Sequence, residues 1–219
     1  GDVTSNTPEE IRVRAINAYS SQNRAVTQQD YISLVYRMPS KFGGIKRVNV
    51  VQDKDSFKRN LNMFVLAEDE DGNLATASST IKENIKVWIS QYKMINDTVD
   101  VLDGQVVNFS IEYKVLGSLD YNQAEVLKDC NEEIKKLYST KLLFGVPFYI
   151  SDIFKTLNEL DSVTDVQDVR LVQKFGTEYS GYFFDIDGAT TADGRAVIVP
   201  ENVVLELKFP EQNIIGVVV

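Results

Sequence analysis

The chain contains no histidine and a single cysteine. Without histidine, neither a Ser-His-Asp triad nor a Cys-His dyad can be assembled, and the side chain that most often carries protons at neutral pH is missing. The lone thiol, Cys130, has no internal partner for a disulfide. Neither a His-ligated nor a Cys-cluster zinc site can be built. Long apolar runs are also missing: nothing approaches the ~18 consecutive apolar residues of a membrane span. Positive charge is in deficit, with 23 Lys and Arg against 32 Asp and Glu, a net of −9. Such a chain repels phosphate, so nucleic acid is not an expected partner. The densest basic run, Lys41, Lys46, Arg47, Lys54, Lys58 and Arg59, is interrupted by Asp53 and Asp55 and reads as a mixed solvated face. The start, GDVTSNTPEE, has no charged-then-apolar signal region and no initiator Met, which leads us to expect a fragment or a processed product.

What is present is ordinary for a globular protein: 219 residues, 43% of them hydrophobic and 25% charged. The helix signals come first. Thr7 as N-cap, Pro8 behind it and Glu10 at the third position form a capping box, followed by the apolar face Ile11, Ala15 and Tyr19. A second helix starts at Thr27 with Asp30 three residues later. Its apolar face is Tyr31, Leu34, Val35 and Met38, and Pro39 and Gly43-Gly44 stop it.

The period then changes. Residues 45–52 and 61–68 read as strands, the second running into the turn cluster 69–73. Thr80 and Glu83 suggest a capping box for a helix carrying Ile81, Ile85, Trp88 and Tyr92 on one face. Residues 105–116 alternate cleanly. Val107, Phe109, Ile111, Tyr113 and Val115 point to a core, while Asn108, Ser110, Glu112 and Lys114 point to water. Asp103-Gly104 reads as a hairpin turn joining that strand to Val99–Leu102. A long helix follows at about 121–139, with Cys130 in its apolar stripe as a buried structural thiol. Residues 146–150 are extended, Ser151 caps a short helix through Leu160, and 163–175 read as a strand. Further strands are expected at 179–187, 195–199, 203–209 and 214–219.

This order predicts an α+β fold. We expect a mostly antiparallel sheet backed by two helices, preceded by two N-terminal helices and followed by a β-rich C-terminal part. The expected segments are 1–42 (N-terminal helical), 43–145 (an α/β sandwich core domain) and 146–219 (a short helix plus the β-rich region).

Tests for chemistry fail one by one. An EF-hand loop with Gly72 at position six needs acids at its ends, where Ala67 and Ser78 stand. The segment Asp185-Ile186-Asp187-Gly188 fails in the same way at Phe183 and Gly194. No glycine-rich phosphate cradle occurs. Glu132 and Glu133 are adjacent on a helix and point apart. We therefore assign no catalytic, cofactor-binding or metal-ligating residue and expect no enzyme. A histidine-free hydrolase would need a pocket holding two close carboxylates with perturbed pKa values.

One segment is more specific. Gln22-Asn23-Arg24-Ala25-Val26-Thr27-Gln28-Gln29-Asp30-Tyr31 resembles the R-A-V-T-x-x-D-Y signature of the baseplate J-like family. The order of elements that follows is similar over residues 9–175, with Ser162-Val163 where the family usually has Gly-Val. Within the family the chain looks like the C-terminal portion of the baseplate wedge proteins of T-even-like myophages, which links neighbouring wedges into a ring. The resemblance implies a non-enzymatic scaffold of a contractile phage tail baseplate and a location in the virion, after assembly in the host cytoplasm. It also implies self-association (a dimer), contacts with other baseplate wedge proteins, and no cofactor. The alternative is a β-rich binding or adhesin module of another viral or secreted assembly, with the loop 188–194 as its contact. The apolar C-terminal residues Ile214, Ile215, Val217, Val218 and Val219 are the candidate interface positions. A last strand inside the domain's own sheet is the competing reading of the same residues.

Overall fold

A computed structural model describes residues 24–53, 60–138 and 142–219. The helix expected from Thr7, and the basic residues Lys54, Lys58 and Arg59, lie outside the described residues. The fold is α+β, with antiparallel pairing predominating: among the described residues four strand pairs are antiparallel and three parallel. The chain divides into two compact units, Gly1–Gly104 and Gln105–Val219. This division lies between two strands and coincides with neither 42/43 nor 145/146. Its physical basis is that Val101 packs in one apolar core and Val107 in another.

In the first unit, β2 (Asn60–Glu68) is the central strand. β1 (Arg47–Gln52) pairs antiparallel along one edge. The other edge is shared by β4 (Thr98–Asp103), parallel at residues 60–65, and β3 (Leu74–Thr76), antiparallel at 66–68. Helices α1 (Gln28–Tyr36) and α2 (Ser79–Ser90) pack on this sheet. The expected hairpin across Asp103-Gly104 does not form, because β4 pairs with β2 instead.

The R-A-V-T-x-x-D-Y residues build the start of α1. Thr27 Oγ1 accepts from Asp30 N, and Asp30 Oδ2 accepts from Thr27 N (2.9 Å) and Val26 N (3.1 Å). Burial raises the Asp30 pKa, but these backbone donors outweigh it and leave the carboxyl below its ordinary value. Ala25 is buried and its N–H bonds Tyr92 O. Tyr31 is fully buried, and its hydroxyl donates to the buried Asp97 Oδ2 at 2.7 Å. In α2 the N-cap is Ser78, whose hydroxyl accepts from Ile81 N, and not Thr80. The earlier cap adds backbone bonds such as Lys82 N to Ser78 O. The Trp88 indole donates to Leu34 O, tying α2 to α1.

In the second unit, β5 (Gln105–Gly117) is central. β7 (Val163–Gln173) runs antiparallel along one edge. The other edge is shared by β9 (Val203–Glu206) at residues 105–108 and β10 (Ile214–Val218) at 111–115, both parallel to β5. The turn α6 (Pro210–Asn213) joins β9 to β10. Helices α3 (Gln123–Leu137), capped by an Asn122–Glu125 box, and α4 (Ile150–Asn158) cover one face. A small pair, β6 (Phe148–Tyr149) and β8 (Ala196–Val197), lies beside them with the short α5 (Ile186–Ala189).

Three expectations change here. Asn108 and Ser110 do not face water. They are buried, because Asn108 Oδ1 accepts from Ser180 N, its Nδ2 donates to Glu206 Oε2, and Ser110 Oγ donates to Val172 O. Residues 179–187 form no strand: the Gln173 side chain takes Tyr182 O and Phe184 N, the groups a neighbouring strand would need. Ser151 does not cap α4, which starts at the core residue Ile150. Ser151 N–H is satisfied instead by Arg195 O.

Tyr31→Phe should cost about 1–3 kcal/mol, since it strands the buried Asp97 carboxylate. Tyr36→Phe, whose hydroxyl meets only backbone groups, Lys46 O at 3.5 Å and Val48, and leaves no buried charge unpaired, should cost less, about 1 kcal/mol or below. Urea unfolding followed at Trp88, the single tryptophan and in the same unit, measures both.

Candidate interaction surface

The C-terminal residues form β10, so their alternation decides what each side chain does. Ile214 is buried and Val218 packs against the second unit's core. Ile215, Val217 and Val219 point the other way and are 43%, 53% and 47% exposed. Of the five candidate interface positions, two therefore face the helices and three face the open side of the sheet. Between them, Gly216 lies under the Tyr113 ring, where a Cβ would overlap the ring atoms. The Tyr113 hydroxyl donates to Asn131 Oδ1 on α3 at 2.7 Å, which fixes the ring. Register places Ile215 beside Glu112 and Val217 beside Lys114. Glu112 and Lys114 in turn face Arg170 and Asp168 on β7. The open face thus grades from an apolar stripe on β10 to an ion-paired strip on β7, where Arg170 Nε meets Asp168 Oδ2 at 2.7 Å.

A groove of about 1130 Å³ runs along β7. Its walls are residues 168–173 of β7, the first turns of α4 (Ile150, Ser151, Phe154) and the segment 183–195. Phe175 and Phe183 stack at 6.2 Å with an 11° tilt, and are 52% and 71% exposed. The loop is held by internal bonds: Asp185 Oδ1 accepts from Gly188 N, Thr191 Oγ1 donates to Asp193 Oδ1, and Thr191 N donates to Ala196 O. Asp193 sits below the ordinary carboxylate range because the Thr191 hydroxyl and the Arg195 N–H both bond its charged form. The loop 188–194 that was expected as a contact is therefore one wall of the groove. The aromatic pair and the strand edge were not anticipated. Two phenylalanines in a stretch rich in Gly, Ser and Asp were the available signal.

Among the described residues no three metal-ligating groups come together and no helix is long and apolar enough to cross a membrane. Cys130 is fully buried in α3, and burial, with a smaller contribution from Asp129, pushes its thiol up to about 11.

The second unit's layout, a long central strand with two short parallel strands sharing one edge, allows comparison with known folds. The fold is shared with a baseplate chain. That chain belongs to the six-fold symmetrised cryo-electron microscopy structure of the anti-feeding prophage baseplate. The TM-score is 0.53 at 13% identity, over 91% of this chain and 41% of that one. The likeness is one of fold, and the present chain spans about two fifths of the length of that baseplate chain. No protein-family model and no curated protein matches the sequence.

Gly216→Ala should destabilise the second unit by about 1–3 kcal/mol through forced displacement of Tyr113. Pairing it with Tyr113→Leu should recover part of that loss, as read by thermal unfolding of the single and double variants. Cys130 should resist iodoacetamide in the native state at pH 8 and react only after unfolding. Its folded-state pKa is raised, so its contribution to stability is present below the ordinary value of 9.0 and is lost as pH rises towards about 11. A Cys130→Ala comparison across that range measures the difference in slope.

Proposed function

We propose that this protein is a non-enzymatic structural component of a contractile-tail baseplate, of the baseplate J-like wedge type. In this reading it self-associates and joins neighbouring wedges into a ring in the virion. The observation that carries the reading is the shared fold over 91% of the chain with a baseplate chain. The R-A-V-T-x-x-D-Y residues support it from a second direction. Every side chain of that motif whose contacts are described serves packing or capping, as a scaffold requires and a reaction does not. The exposed β10 residues Ile215, Val217 and Val219 are the surface we assign to self-association. They sit on a strand paired in register with β5 and are apolar side chains exposed at 43%, 53% and 47%.

Light scattering over a concentration series should show a dimer or a larger assembly. An Ile215→Asp, Val217→Asp double variant should weaken it by about tenfold or more, equivalent to ~1.4 kcal/mol, with an unchanged monomer melting temperature. A strict monomer at every concentration would remove the self-association claim. Cross-linking within purified tail particles tests the wedge-to-wedge role. A specific signal on a glycan array, with no association, would favour the adhesin reading instead.

A further inference from the structure

We propose that the groove beside β7 captures an extended segment of a partner protein, alternating apolar and Lys/Arg side chains, as an added strand on the sheet. This goes beyond the scaffold reading and does not depend on it.

The first observation is an open strand edge. β7 pairs with β5 alone among the described residues. Lys174 N donates to Asn108 O on β5. With the two-residue repeat of a strand, the backbone groups of Val172 and Arg170 face β5 as well, and those of Val169, Leu171 and Gln173 face away. Among the described residues none of these three outward N–H groups has a hydrogen bond. An unpaired edge attracts a further strand, and proteins ordinarily cover it or blunt it. Here it is left open along a groove of about 1130 Å³ whose lining includes residues 168–173 of β7.

The second observation is what surrounds the edge. Apolar side chains line it on both sides: Phe154, Val172, and the exposed stack of Phe175 on Phe183. An added strand points alternate side chains to opposite sides, so such walls supply pockets for every second residue.

The third observation selects the occupant. The lining holds five carboxylates, Glu112, Asp168, Asp185, Asp187 and Asp193, against two cations, Arg170 and Arg195. Both cations already meet an aspartate of the groove, Asp168 and Asp193. Glu112, Asp185 and Asp187 have no ion-pair partner among the described residues. A segment carrying Lys or Arg between its apolar residues neutralises this excess. A second copy of the chain docked edge to edge would set the same acidic grooves against each other, so we assign the site to a different protein.

The probe is a fluorescein-labelled peptide of about eight residues alternating Val with Lys. Its controls are the same peptide with Glu for Lys and one with N-methylated backbone amides. The full chain should bind the Lys peptide measurably below about 1 mM, and added salt should weaken binding. The Glu and N-methylated peptides should bind at least tenfold more weakly. Asp187→Lys and Phe183→Ser, both at exposed positions, should each lower affinity about fivefold to tenfold without changing the melting temperature. Hydrogen exchange should show the amides of Val169 and Leu171 open in the free protein and protected by the peptide, with Arg170 and Val172 protected throughout. No binding of the Lys peptide at 1 mM, equal binding of the Glu peptide, or binding without protection at Val169 and Leu171 overturns the proposal. Protection that grows with protein concentration in the absence of peptide overturns it in favour of a second copy.

Discussion

A strand buried between neighbours must have the N–H and C=O groups of both edges hydrogen-bonded, because an unpaired backbone group away from water costs as much as a lost bond. Both units are arranged around this requirement. β2 has one edge filled by β1 and the other by β4 and β3 end to end. β5 has one edge filled by β7 and the other by β9 and β10 end to end. In each unit the long central strand is longer than the strands on its divided edge, so two pieces of chain cover what one does not. For β5 those pieces come from the C-terminus, and that is why an apolar tail, an oddity as a free end, becomes a structural strand. The same requirement makes the outer edge of β7 conspicuous, since it is the place where an open edge meets an apolar groove.

The two units solve the capping of their helices with local polar groups and reserve long-range polar bonds for joining elements. Thr27–Asp30 and Asn122–Glu125 cap within a turn. Tyr31 to Asp97, Trp88 to Leu34, Tyr113 to Asn131 and Tyr179 to Asn213 span from 18 to 66 residues of chain. Burial raises the pKa of Tyr31 and Tyr113, with Asp97 and Cys130 respectively adding to it. Both hydroxyls therefore stay protonated donors over the ordinary pH range, and the packing they hold is insensitive to neutral pH changes.

The chain's excess of negative charge is not spread evenly over its function. On the open face of the second unit, Arg170 and Asp168 pair along β7, while β10 presents apolar side chains. Along the groove, carboxylates outnumber cations. These are two chemically different surfaces on one sheet, one suited to apolar association and one to a cationic strand.

The helices α1, α3 and α4, the turn at 69–73 and the strands β1, β2, β5, β7 and β10 were legible in the sequence, because capping residues, periodicity and turn chemistry act within a few residues of chain. The buried role of Cys130 was legible for the same reason. Pairing was not. That β4 joins β2 rather than β5, that Asn108 and Ser110 are buried, and that 179–187 is held by Gln173 instead of a ladder all depend on partners distant in sequence. Alternation identifies two faces of a strand but not which face meets protein and which meets water. The candidate surface divides along the same line. The sequence by itself determined that Ile214 to Val219 are apolar and need cover, and that catalysis by histidine is impossible. Only the tertiary structure decided that Ile214 and Val218 are covered from within while Ile215, Val217 and Val219 are not, because parallel pairing with β5 sets which side of the strand faces the helices.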